Sequence, residues 1–93
     1  MVITEELLEK LGFEKNLIDE EQAGGPAYYY YSLDLLKDED DEYAAICLLT
    51  CAHDEVDAEG GWVVELLDNG HHKIKNADLL ENFVSACRAI ENQ

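Results

Sequence analysis

The chain has 93 residues and a formal net charge of −16, with 22 carboxylates against six lysines and arginines. That length allows one domain, and an apolar content of 47% sets the chain apart from acidic disordered tails. The charge argues against a nucleic-acid ligand, whose phosphates it would repel, and no apolar run reaches the roughly 20 residues of a membrane span.

The first helix is marked by Thr4 as N-cap, with Glu5 and Glu6 favourably placed in its positive first turn. Ile3 and Leu8 are spaced for a hydrophobic staple, and Leu7, Leu8 and Leu11 form the apolar stripe. Gly12 is the expected left-handed stop, with Phe13 returning onto Leu8. Residues 14 to 26 read as a long loop closed by Gly24-Gly25-Pro26, with a short helical turn around Asn16 to Glu21.

Ala27 to Leu36 alternates as a strand. Tyr29, Tyr31, Leu33 and Leu35 share one side; Tyr28, Tyr30, Ser32 and Asp34 share the other. Tyr43 to Cys51 is apolar on both sides and reads as a central strand. Trp62 to Leu67 is a third strand, joined through the hairpin signal Asn69-Gly70 to a short edge strand, His71 to Lys75, guarded by Lys73 and Lys75. Asn76 caps a last helix in which Leu79, Leu80, Phe83, Val84, Cys87 and Ile90 recur at helical spacing. The expected fold is one α+β domain: an N-terminal helix, a four-stranded antiparallel meander and a C-terminal helix, with both helices on one sheet face. The other face is left open, bearing one of the two tyrosine pairs.

The charge is grouped. Fourteen carboxylates lie between Glu14 and Glu59 against Lys15 and Lys37, so this stretch holds twelve of the sixteen net negative charges. In a meander, successive loops go to opposite ends. Asp38, Glu39, Asp40, Asp41 and Glu42 should occupy one pole; Asp19 to Glu21 and the group Asp54, Glu55, Asp57 and Glu59 should occupy the other. A nine-residue strand of about 30 Å separates the poles. Duplex DNA carries one charge per about 1.7 Å of axis, so acid displayed along one side of such a sheet would imitate phosphate. The competing reading is a solvated surface kept for solubility.

Other chemistries find less support. Glu55, Asp57, Glu59 and Gly60 match the first half of a calcium loop, but its twelfth position is Leu66 where a bidentate glutamate is needed. His71 and His72 are neighbours on a strand and point to opposite faces, and no Cys-x-x-Cys pair occurs, so a zinc site is not expected. Cys47, Cys51 and Cys87 are odd in number and read as core thiols. Cys51 near His53 is the one nucleophile arrangement on offer, and the surrounding acid disfavours its thiolate. No enzyme activity, metal or cofactor is expected. Met1 to Lys10 lacks a basic start followed by an apolar run, so a cytoplasmic location is the default expectation.

The run Leu7-Leu8-Glu9-Lys10-Leu11-Gly12-Phe13, the tyrosine-rich strand, the Trp62 strand and the final amphipathic helix resemble small phage or mobile-element proteins. In size and charge the chain is similar to phage anti-defence inhibitors, including anti-CRISPR and DNA-mimic proteins. That resemblance implies inhibition by charge and shape in a host-cell cytoplasm and carries over no binding residue. The expected function is therefore an acidic inhibitor or decoy that occupies the basic surface of a nucleic-acid-handling protein. Asp38, Glu39, Asp40, Asp41, Glu42, Asp54, Glu55, Asp57 and Glu59 would make the contacts, with Tyr28, Tyr30 and Trp62 as anchors. Alternatives are an immunity protein for a basic nuclease toxin, and a structural module that forms a homodimer through the open sheet face.

Overall fold

The computed structural model describes residues 1–37, 44–66 and 72–92. Helix α1 spans Glu5–Lys10, strand β1 Glu14–Ile18, helix α2 Glu20–Ala23 and strand β2 Tyr28–Lys37. Strand β3 follows at Ala44–Thr50, then a 3-10 turn at His53–Glu55 running into helix α3 at Val56–Glu59. Strands β4 (Val64–Leu66) and β5 (Lys73–Ile74) lead to helix α4, Ala77–Glu91. The sheet is antiparallel with the order β1-β2-β3-β4-β5.

The protein is thus α+β, with five strands among the described residues rather than four. The additional strand is β1, in the segment read as a loop. Its sequence, Glu-Lys-Asn-Leu-Ile, lacks an apolar alternation because it lies at the edge of the sheet and none of its residues is buried. It forms by pairing with the first half of β2, Ile18 opposite Tyr28 and Glu14 opposite Ser32. The acidic stretch after β3 also differs from a plain loop. It winds into the 3-10 turn and α3, and Gly60 stops it at φ 81°. Trp62 belongs to no ladder strand; it forms an isolated bridge with Ile3, and β4 begins two residues later. The Asn69-Gly70 turn and the Asp38 to Glu42 tip lie outside the described residues.

The three expected helix ends are present. The Thr4 side chain accepts from the Leu7 N–H at 3.2 Å. Phe13 N–H donates to the Leu8 carbonyl at 3.0 Å and Gly12 N–H to that of Glu9 at 3.1 Å, the paired bonds of a Schellman end. Gly12 has φ 94°, and the Arg88 guanidinium lies 3.0 Å from where a Cβ would stand, so a side chain would meet both strain and contact. Arg88 also donates to the Leu11 carbonyl, which joins the end of α1 to α4. Asn76 caps α4 by accepting from Leu79 N–H at 3.1 Å.

The apolar stripe of α4 is Ala77, Leu80, Val84 and Cys87, with Phe83 half-buried. Leu79 and Ile90 stand outside it and are 56% and 54% exposed. At about 100° per residue they fall roughly 80–100° round the helix from Leu80, beyond the buried face. The stripe meets Leu8 of α1 and the sheet residues Tyr31, Leu35, Leu48, Val64 and Ile74 in one core. The strand register places those sheet residues on a single face.

Candidate partner-binding face

Because Cβ atoms alternate along a strand, the register also defines the opposite face. It comprises Glu14, Asn16 and Ile18 of β1, Tyr28, Tyr30, Ser32 and Asp34 of β2, Cys47 and Leu49 of β3, Glu65 of β4 and Lys73 of β5. None of these residues is buried and none belongs to the core cluster. One cross-strand row runs Glu14, Ser32, Leu49, Glu65, Lys73. At roughly 4.8 Å between strands, Glu14 and Glu65 stand about 14 Å apart.

The four consecutive tyrosines divide between the two faces. Tyr31 is 1% exposed. Its hydroxyl donates to Glu5 Oε1 at 2.9 Å, its ring meets Trp62 edge-on at 5.5 Å, and its N–H donates to Thr50 Oγ1 at 2.9 Å. Tyr29 stacks on His53 at 4.4 Å with the planes 3° apart, and the Lys15 ammonium lies 4.1 Å from its ring centre. Its N–H donates to His53 Nδ1 at 3.0 Å, so Nδ1 carries no proton in this arrangement. Burial, followed by the Glu5 hydrogen bond, pushes the Tyr31 hydroxyl well above the usual tyrosine range. Hydrogen bonding to Glu5, then burial, raises Tyr29.

Tyr28 and Tyr30 lack such ties. Among the described residues neither ring packs on another ring and neither hydroxyl makes a hydrogen bond. Both are half-buried, and with Leu49, Ala52 and Glu55 they line a shallow, open depression of about 340 Å³. Glu55 is held there by its own backbone chemistry: its Oε1 accepts from the Ala52 N–H at 3.1 Å. The same glutamate borders a second depression of about 210 Å³ with Glu59, Glu65 and Lys73. An aromatic hollow and an acidic hollow therefore adjoin at Glu55.

Among the residues singled out in the sequence, Tyr28, Tyr30, Glu55 and Glu59 are brought together here. Asp54 and Asp57 are exposed on the same turn. Trp62 is not on this face; it is 8% exposed and packs edge-on to Tyr31 in the core. Asp38, Glu39, Asp40, Asp41 and Glu42 lie outside the described residues. Asp34, Leu49 and Glu65 were not singled out as contacts, although Asp34 shares the strand parity of Tyr28 and Tyr30. The described carboxylates do not form one row: Glu5 and Glu9 stand on α1, Glu20 and Glu21 on α2, Glu81 and Glu91 on α4.

Cys47 is half-buried across from Asp34, and burial, followed by the Asp34 carboxylate, pushes its thiol up to about 11. That environment suppresses thiolate and suits an inert thiol. Among the described residues no three histidine, cysteine or carboxylate groups converge as metal ligands. No helix among them is long and apolar enough to cross a membrane. No family model matches the chain, and neither a curated protein nor a solved structure is similar to it.

Proposed function

We propose that this protein binds a basic surface on a nucleic-acid-handling protein and blocks access to it, with the open sheet face and the acidic 3-10/α3 turn as its contact area. One observation carries this reading. Two half-buried tyrosines without partners among the described residues line a hollow bounded by Glu55, on a face whose strands also bear Glu14, Asp34 and Glu65. Tyrosine supplies contact area at low entropic cost and is favoured in interface cores, whereas the surrounding carboxylates set orientation and exclude acidic partners. The remaining acid acts at longer range. A net charge of −16 steers a basic partner into encounter and hastens association at low salt. Binding of this kind requires local complementarity, not a phosphate-like row.

The test is affinity capture from extracts of the source organism at low and moderate salt, with duplex DNA as competitor. Basic nucleic-acid-binding proteins should be retained, released as salt rises, and displaced by the duplex. Reversing Asp54 and Asp57 to lysine should weaken their capture at least tenfold. Retention of the same proteins by the reversed variant would overturn the reading.

A further inference from the structure

We propose that the Tyr28–Tyr30–Glu55 hollow is a socket for an arginine side chain of the basic partner, and that it discriminates against lysine. The inference rests on the basic-surface reading above and adds the identity of the recognised group.

Spacing is the first argument. Tyr28 and Tyr30 are two residues apart on one strand face, which sets their Cβ atoms about 6.6–6.8 Å apart. Planar groups pack at about 3.5 Å on an aromatic face, so a flat group lying in the hollow can contact the two rings that line it. A guanidinium is flat, weakly hydrated and lies parallel on an aromatic face; an ammonium, like that of Lys15 over Tyr29, meets a ring only as a compact, strongly hydrated point charge.

Charge is the second. Glu55 lies at the wall shared with the acidic hollow, and one of its carboxylate oxygens is occupied by the Ala52 N–H. Its other oxygen remains to receive a guanidinium N–H. Asp34 lies further along the same face and Glu59 beyond Glu55, so an arginine entering from either side meets negative potential before it meets the rings.

The occupant is a partner protein and not a second copy. The chain has a single arginine, Arg88, and that side chain donates to the Leu11 carbonyl at the junction of α1 and α4. Two copies would also bring together two charges of −16.

The experiment is an NMR titration of the full-length ¹⁵N-labelled protein at low salt with two glycine-spaced peptides of equal length and charge, one of arginine and one of lysine. The arginine peptide should bind about fivefold or more tighter. It should move the amide signals of Tyr28, Tyr30, Leu49, Ala52 and Glu55. Tyr28→Leu with Tyr30→Leu keeps the apolar volume, removes the π faces, and should bring the affinity ratio to about one. Glu55→Gln keeps an acceptor for Ala52 N–H, removes the charge, and should weaken both peptides. Equal affinities for the two peptides in the unaltered protein would overturn the socket while leaving the basic-surface reading in place. So would an arginine preference that survives the double tyrosine change, or signals that move elsewhere. If neither peptide bound at low salt, both the socket and the basic-surface reading would fall.

Discussion

The two faces of β2 carry the same residue type and use it in opposite ways. On the inner face Tyr29 and Tyr31 are tied by hydrogen bonds, ring contacts and a cation, to His53, Thr50, Glu5, Trp62 and Lys15. On the outer face Tyr28 and Tyr30 have no hydroxyl or ring partner among the described residues and line an open hollow beside Glu55. The contrast teaches that a tyrosine's role is set by what satisfies its hydroxyl and covers its ring. An aromatic that is fully engaged within its own chain stabilises the fold. One that is half-covered and unengaged has contact area left to offer.

The sharpest way to break this comparison is to truncate one tyrosine from each face. Tyr31→Ala removes a buried ring and leaves the Glu5 carboxylate without its donor, at a cost of about 3–5 kcal/mol. Tyr30→Ala should cost about 1 kcal/mol or less, as for other partly exposed strand positions. Urea unfolding measures both, and equal losses would erase the distinction between the faces.

The inner layer can be probed further at its helix ends. Gly12→Ala forces a side chain into a left-handed conformation and against Arg88, and should cost about 1–2 kcal/mol. Asn76→Ala removes the cap of α4 and should cost about 1 kcal/mol. Neither change should alter partner capture, since neither touches the outer face.

The smallest expected effect is on pH. Tyr29, Tyr31, Cys47 and Cys87 all have raised values in the folded protein. The unfolded chain therefore gives up these protons first as pH rises. For Cys47 the contribution is complete below the ordinary cysteine value of 9.0 and is lost as pH climbs through about 11, its folded value, while the tyrosines lose theirs only above the ordinary tyrosine value of 10.0. The urea midpoint should fall between pH 8 and pH 11, and Asp34→Asn should reduce that fall. A midpoint that rose with pH would contradict the assignment.

Much of this arrangement was legible in the sequence. The caps at Thr4, Gly12 and Asn76 are local devices, written in the residues that form them. The central position of β3 followed from apolar residues on both its faces. The parity of β2 separated the tyrosine pairs, and the polar partners Ser32 and Asp34 mark the outer face while Leu33 and Leu35 mark the inner one. Strand β1 was not legible, because an edge strand that buries no residue leaves no hydrophobic period to read. Trp62 was misplaced for a related reason: its burial comes from the N-terminal segment bridging to it at Ile3, a contact between distant residues. The hollow needed the fold of the acidic turn, since Glu55 sits at the end of the 3-10 turn that follows β3 and shares the wall that Tyr28 and Tyr30 line.

If the proposal holds, the outer face of β2 is where this protein meets its partner. The most direct measurement is hydrogen–deuterium exchange of the protein, free and bound to a basic partner recovered by capture. Exchange should slow at residues 28–34, Leu49 and the 52–59 turn and nowhere else. Protection falling instead on the outer side of α4, with residues 28–34 and 52–59 unchanged, would contradict it.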